Sequence, residues 1–290
     1  MEYHSDKFQD FSLMIYKNEK LVGLLPANIV DDIVYSHQGL TYGGLIHSIE
    51  LKTTDYIECY KSILKYLNQN GVSILMLKDL PSIYLKNSIN DPFLFLSFKL
   101  KAELIRTDLH AVVNFNNSSL SNSRKEGVKR GLKHQLRIEE SLDFELFWNS
   151  ILIPNLQAKH GVNPVHSLKE INLLKSRFKN NIRQFNVYHN DKIVAGTTIF
   201  ETENVAHCQY ISGNKDKNEL GSLDFLHAHL IQNIFKEKKY FDFGTSNLNN
   251  GQNINQGLQF WKEGFGARSI PQGFYNLKTV NHSLLETILI

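Results

Sequence analysis

YKNEKLVGLLPANIVDDIVYSH, residues 16–37, lies without a gap over YHNDKIVAGTTIFETENVAHCQ, residues 188–209. Tyr, Asn, Lys and Val coincide in the opening of the two stretches. Each reads as a strand, a tight Asn-Glu or Asn-Asp turn, a second strand, a short polar turn (Asp31-Asp32 or Glu203-Asn204) and a third strand, which predicts an antiparallel meander. A glycine-containing loop and a helical pattern follow in both places. In YIECYKSILKYLNQNG the residues Ile57, Tyr60, Ile63, Leu64 and Leu67 share one face; in SLDFLHAHLIQNIFKEKK Phe225, Leu226, Leu230 and Ile234 do. Each helix leads to a short apolar strand, VSILML or YFDFG. A meander, helix and strand used twice predict a duplicated α/β domain, because a solenoid needs at least three shorter repeats.

The chain can carry two such domains: it has 290 residues, 42% of them hydrophobic and 21% charged. Its formal net charge of +3 is too small to imply nucleic acid by itself and is compatible with local sites for anions. Cys59 and Cys208 have no metal-ligand spacing, and such sparse usage predicts reduced thiols in a cytoplasmic setting. MEYHSDKFQDF has neither the basic start nor the apolar core of a targeting segment, and no apolar run approaches the ~18 residues that span a membrane.

Between the halves, NFNNSSLSNS (Asn114 to Ser123) lacks a hydrophobic period and predicts a boundary that divides the chain into residues 1–115 and 116–290. The next segment, RKEGVKRGLKHQLRI, holds Arg124, Lys125, Lys129, Arg130, Lys133, His134 and Arg137; it reads as a solvated helix face or as a phosphate-binding one, with a preceding Ser as cap. DFELFWNSILIPNLQAKHG and SLKEINLLKSRFK predict amphipathic helices on the C-terminal sheet, the first kinked by Pro154.

The loop SGNKDKNELGSLD (Ser212 to Asp224) is a candidate anion cradle. Gly221 and Ser222 can aim backbone N–H groups at a phosphate from a helix start, with Lys215 and Lys217 nearby. The rival reading has solvated lysines and Asp224 competing for the positive helix end. His227 and His229 are two apart on a helix and so point in different directions, which argues against a metal pair. No G-x-S-x-G elbow is present, and neither cysteine has a nucleophile context.

This succession of elements, ending in DFGTS, resembles the Gcn5-related N-acetyltransferase (GNAT) superfamily. The tandem arrangement, the basic RKEGVKRGLKHQLRIEES and YFDFGTSN followed by GLQFWKEGFGAR resemble its FemAB-like branch. The resemblance implies an α/β (α+β) fold of two tandem GNAT-like domains, each a mixed, largely antiparallel sheet flanked by helices. The N-terminal copy is degenerate, with its first elements shortened, and the C-terminal copy holds the cofactor. The implied activity is N-acyl transfer, most simply of acetyl, from acetyl-CoA or another acyl-CoA to an amine on a small molecule, such as an amino sugar, or on a peptidoglycan or polysaccharide precursor. No metal is implied. An aminoacyltransferase of the FemAB kind using charged tRNA and a non-catalytic ligand-binding protein are the alternatives, and the sequence sets no oligomeric state.

Under the resemblance, residues 194–201 and 206–213 are neighbouring strands that splay at their ends. Backbone at Thr197, Thr198 and Ile199, with Ile211, would line an acyl-pantetheine arm, while Leu220, Gly221, Ser222 and Leu223 with Lys215 and Lys217 would hold phosphates. The candidate bases are Glu201, His207 and Asp242, and Tyr210 is the candidate acid; His207 and Tyr210, three apart on a strand, are expected on opposite faces. The pyrophosphate loop of the family is reduced here to residues 218–223. SHQGLTYGG, residues 36–44, falls at the matching place in the first copy. Ser36, His37, Gln38, Tyr42 and Gly43 are therefore expected to shape an acceptor pocket toward an interdomain cleft, with Lys262 of FWKEGFGAR as a further ligand contact or a helix-end packing group.

Overall fold

The computed structural model describes residues 6–85, 92–117 and 119–289. The chain divides into two compact units: Met1–Asp108 with Asn249–Gln252 and Pro271–Ile290, and Leu109–Leu248 with Asn253–Ile270. In chain order the elements are β1 (Gln9–Asp10), β2 (Leu13–Lys17), β3 (Lys20–Leu25), β4 (Asn28–Val30), β5 (Ile33–Tyr35), β6 (Ile46–His47), α1 (Thr53–Gln69), β7 (Ile74–Lys78) and α2 (Phe93–Lys99). Then come β8 (Glu103–Asn114), α3 (Asn122–Lys133), β9 (Arg137–Ser141), α4 (Glu145–Phe147), α5 (Ile153–His160), α6 (Leu168–Arg177), β10 (Ile182–His189), β11 (Lys192–Glu201) and β12 (Val205–Gly213). The chain ends with α7 (Lys217–Leu220), α8 (Ser222–His229), β13 (Tyr240–Thr245), β14 (Asn247–Leu248), β15 (Asn253–Ile254), α9 (Gln256–Glu263) and β16 (Arg268–Lys278).

In the second unit the predicted meander is one continuous piece, β10–β11–β12. Asn190 and Asp191 turn β10 into β11 with φ of 47° and 59°, the left-handed pair a tight hairpin needs. The strand order runs β8–β13–β12–β11–β10–β9, with β12 and β13 parallel and the other pairs antiparallel. Trp148, Phe144 and Phe147 are fully buried at the start of the helical segment that a π-helical turn over Trp148–Leu152 joins to α5. Pro154 follows on the π-helical turn, inside a helical segment whose backbone is already right-handed helical at Leu152 and Ile153, so its missing N–H leaves the segment one helix bond short. Ser167 opens α6 in a reciprocal capping box with Glu170.

The basic segment forms α3, capped by Ser121, and it packs against α8 by backbone approach. A Cβ on Gly127 would lie 1.8 Å from the Asp224 carboxylate, and one on Gly131 would lie 2.6 Å from Cβ of Phe225. Only glycine at both positions, four residues apart and hence on one helix face, lets α8 come this close.

In the first unit the same meander is broken. β2 and β3 form a hairpin through Asn18 and Glu19 (φ 47° and 64°), but with β6 they make a separate three-stranded sheet. Pro26 follows β3 and cannot donate to a ladder, so the predicted second strand stops at Leu25 and resumes as β4 after a bend. β4 and β5 then join a sheet with β1, β7 and β16. α1 buries Ile57, Tyr60, Ile63, Leu64 and Leu67, the face that its periodicity predicts. At about 1.5–3 kcal/mol per buried aliphatic or aromatic side chain, this face rather than helix propensity holds α1 in place.

The unit boundaries differ from the expected division at 115/116. Of the Asn- and Ser-rich stretch, Phe115–Asn117 is a short 3-10 turn, Ser121 is the N-cap of α3 and residue 118 lies outside the described residues; cap residues have the composition of a linker. The chain passes from one unit to the other within β8, and Pro271–Ile290 rejoins the first unit, where β16 pairs antiparallel with β7 from Phe274↔Lys78 to Lys278↔Ile74. Among the described residues no helix is long and apolar enough to cross a membrane.

Candidate active site

In the second unit β12 and β13 pair over three positions only, Val205↔Tyr240, Ala206↔Phe241 and His207↔Asp242, and then part. β13 turns away at a bulge between Asp242 and Thr245, where Gly244 has φ of 69°. The gap holds a cavity of about 650 Å³ walled by Cys208, Ile211 and Ser212 of β12, Phe243 and Thr245 of β13, and Trp261. Arg124, Arg130, Lys159, Lys217 and Lys262 bring five cationic side chains to its lining, against one acid, Asp224.

The gap is not where it was expected. β11 and β12 stay paired from Ala195↔Gly213 to Glu201↔Ala206, and β11 is also paired to β10 along its length, so backbone at Thr197, Thr198 and Ile199 faces no opening. Strands joined by a three-residue turn remain together; the parallel neighbours joined through α7 and α8 are the ones that diverge. Thr197 donates its hydroxyl to the Tyr210 carbonyl at 2.7 Å and Thr198 to Gln184 at 2.7 Å, and Ile199 is core.

The register of β11 against β12 skips from Thr198↔Tyr210 to Ile199↔Cys208, making Gln209 the extra residue of a bulge. The bulge resets the alternation, so His207 and Tyr210 share the face away from α8, while Ala206, Cys208 and Ile211 pack with the core on the α8 side. The expectation of opposite faces assumed an uninterrupted strand. Tyr210 is pinned: its hydroxyl accepts from the His166 backbone N–H at 3.0 Å and bonds His166 Nδ1 at 2.7 Å, with Trp148 packed on the ring. Glu201 is tied to Lys238 at 2.8 Å and Arg183 at 3.3 Å.

Asp242 is fully buried, and one of its oxygens sits 3.0 Å from Nδ1 of both His207 and His110. Its other oxygen accepts from the Gly244 N–H at 2.7 Å. Burial alone would raise this carboxyl, but the two imidazoles hold it well below the usual range. The four proposed acid–base residues therefore lie behind or away from the cavity wall, and Asp242 shapes the bulge that opens it.

Lys262 does reach the cavity. It is 2% exposed, and its ammonium donates to the carbonyls of Gly244 at 3.0 Å and Thr245 at 2.7 Å. Burial brings its pKa down to about 8, opposed by Asp242. Ile211, Lys217 and Leu223 also line the cavity. Lys215 is exposed, Leu220 is core, and the Gly221–Ser222 corner is closed: Gly221 has φ of 66°, and a Cβ there would lie 2.2 Å from the Gly127 carbonyl oxygen. Ser222 is fully buried, and its hydroxyl has no hydrogen-bond partner among the described residues.

Asp224 takes the place a phosphate was expected to have. It bonds Arg124 at 2.5 Å and Trp261 Nε1 at 2.8 Å, with Arg130 at 3.8 Å; burial nevertheless raises its pKa. Among the described residues Lys159 and Lys217 have no carboxylate partner, so the uncompensated positive charge lies toward them. Lys159 is lowered by burial and then by Lys217, so the two ammoniums are close enough to repel. Arg124 and Arg130 belong to the basic segment for which phosphate binding was one of two readings, but they were not placed at this site, and Lys159 was missed. The Gly-x-x-x-Gly spacing of α3 was the available signal for its contact with α8, whereas nothing local marks Lys159 or His110.

In the first unit Ser36, His37 and Gln38 border a smaller cavity. Tyr42 stacks on Tyr84 at 4.3 Å between ring centres, and Gly43 packs on Ser36, whose carbonyl oxygen would lie 1.8 Å from a Cβ. The glycine there serves close packing within the loop.

A sheet opened between two parallel strands and flanked by helices, in a chain that uses the plan twice, defines the tandem GNAT-like, FemAB-like fold class. No family model matches the chain, and none of the curated proteins matches it. Among solved structures, FemX is similar over 99% of this chain and 92% of its own, with a TM-score of 0.69 at 9% identity. The C-terminal DUF2156 domain of a protein described as a putative lysylphosphatidylglycerol synthetase, from Agrobacterium fabrum, is similar over 94% of this chain and 86% of its own, with a TM-score of 0.62 at 12% identity. A tandem GNAT protein from the clavulanic acid biosynthesis pathway covers 92% and 82%, with a TM-score of 0.51 at 11% identity.

Proposed function

We propose that the second unit is an N-acyltransferase that moves an acyl group, most simply acetyl, from a phosphate-bearing acyl thioester such as acetyl-CoA to an amine. The observation that carries this reading is the strand edge left open past His207, bordered by an apolar wall and ending in lysines that no carboxylate among the described residues neutralises. Amides of a pantetheine arm suit pairing with such an edge, and phosphates suit Lys159, Lys217 and Arg130. Lys262 uses two of its three N–H bonds on Gly244 and Thr245, and the third is the group we assign to the reacting carbonyl. The amine lone pair forms the N–C bond as the C–S bond breaks; the ammonium proton leaves to solvent and the thiolate takes a proton from it. Holding the reactants together supplies most of the acceleration.

A second reading, aminoacyl transfer from charged tRNA, is favoured by the closed Gly221–Ser222 corner, which removes the helix-end cradle expected for a pyrophosphate. Melting the protein with acetyl-CoA, CoA or aminoacyl-tRNA separates the two. A ligand at 100 times its dissociation constant stabilises by about 2.7 kcal/mol. A rise with acetyl-CoA that the Lys159→Ala/Lys217→Ala pair removes supports the thioester; a rise only with charged tRNA supports the second reading. No rise with either leaves a binding protein without this chemistry. The acceptor, an amino sugar or a peptide of an envelope precursor in our reading, is then sought by mass-tagged transfer.

A further inference from the structure

The first unit repeats the geometry that opens the second. β5 and β7 run parallel for three positions, Ile33↔Ile74, Val34↔Leu75 and Tyr35↔Met76; Ser36 then donates its N–H to the Met76 carbonyl at 2.9 Å and accepts the Lys78 N–H on its hydroxyl at 2.8 Å, and beyond it the ladder ends. The gap holds a cavity of about 320 Å³ bordered by His37, Met76, Lys78, Arg106 and Phe274, all residues of the first unit. Its charges are few and specific. Arg106 donates Nε to one oxygen of Asp108 at 2.9 Å and a terminal nitrogen to the other at 2.6 Å, while its guanidinium lies 4.5 Å from the centre of the Phe274 ring. Asp108 is 3% exposed, so this pair is internally neutralised. The Lys78 ammonium donates one bond to the Leu40 carbonyl and, among the described residues, has no carboxylate of its own; burial, then Arg106, brings it to about 8, with Asp108 opposing. Lys78, Arg106 and Asp108 together leave one surplus positive charge beside aromatic and thioether surface.

We infer that this first cleft is a binding site for a compact, singly charged carboxylic acid, the size of a sugar acid or an N-acyl amino acid. One surplus charge matches a monoanion and leaves half of a phosphate dianion uncompensated. The volume, at the lower end for a small-molecule pocket, suits a compact ligand. The inference stands on the first unit alone and does not depend on acyl transfer in the second.

The chain has three methionines, and Met76 is the one in this cavity, so methyl-labelled methionine gives a sparse NMR spectrum with an internal reporter. Met14, on the exposed hairpin, serves as control. Glucuronate and N-acetylglycine are titrated beside their neutral counterparts, glucose and N-acetylglycinamide, and beside inorganic phosphate. The expected result is a saturable shift of the Met76 signal with at least one acid and none with its neutral partner. Loss of a hydrogen bond to a charged group predicts a roughly tenfold or greater weakening in Lys78→Leu. If that variant unfolds, the wild type decides: binding must weaken as pH rises past about 8, where Lys78 loses its proton. A Met76 signal unmoved by every acid, or moved equally by the neutral partners, overturns the site; tighter binding of phosphate than of the acids overturns the monoanion.

Discussion

Gly161 and Gly221 offer a controlled comparison for the contact that closes the expected phosphate corner. Both have φ of 66°, the left-handed region, but a Cβ at Gly161 meets nothing within 4 Å, whereas one at Gly221 meets the Gly127 carbonyl at 2.2 Å and Cβ of Arg130 at 3.2 Å. Alanine in the left-handed region costs about 1–2 kcal/mol, offset by about 0.4–1 kcal/mol of unfolded-chain entropy. Gly161→Ala should therefore destabilise by about 1 kcal/mol. At Gly221 the overlap exceeds 1 Å relative to ordinary contact, so α3 must move, at a further cost of about 1–3 kcal/mol. Both tryptophans, Trp148 and Trp261, belong to the second unit, so fluorescence-detected urea unfolding reads that unit. The two variants should differ by about 1–3 kcal/mol with unchanged m-values. Equal destabilisation would refute the close approach of α3 and α8 and restore the corner as an open cradle.

His227 is fully buried, gives its Nδ1 proton to the Leu223 carbonyl, and is held near 4 by burial against an ordinary 6.5. The unfolded chain protonates first as pH falls, so stability is lost between about 6.5 and 4, by roughly 3 kcal/mol; His227→Leu should flatten that slope in urea titrations run across this range. Asp242→Asn leaves His110 and His207 without their shared carboxylate and should cost about 3–5 kcal/mol at neutral pH. Because the Asp242 carboxyl is depressed in the fold, its contribution is present above about pH 4 and disappears as pH falls through the folded value, so wild type and variant should converge in acid unfolding. Lys262→Met should lower the transfer rate by about 10²–10³ while donor binding persists, and the wild-type rate should decline above pH of about 8; a variant with the wild-type rate removes Lys262 from the chemistry.

Periodicity was enough to place α1 and its buried face, and the internal repeat to find the duplicated plan, because both signals are local. The break at Pro26 was written in the letters but masked by the alignment with Gly196 to Thr198, where the second copy continues as a strand. The bulge at Gln209 has no glycine or other mark, since it arises from how β11 and β12 settle against each other, and it moves Tyr210 to the other face. His110 and Asp242 are 132 positions apart, and Lys159 and Lys217 approach from different helices, so only tertiary structure brings them together. Gly221 was rightly singled out as special, but its purpose depends on Gly127, ninety-four positions away, which no reading of the loop alone supplies.

The return of β16 to the first unit reverses the usual order of assembly on the ribosome. Domains generally form from the N-terminus as they emerge. Here β7 is made early, but its partner from Phe274 to Lys278 appears only after the whole of the second unit, through Ile270, has been synthesised. The later unit can finish first, while the earlier one waits with an open sheet edge, the kind of surface that invites wrong pairings. A stop codon just past Ile270 would accordingly spare the unit nearer the end of the message and cripple the one at its beginning.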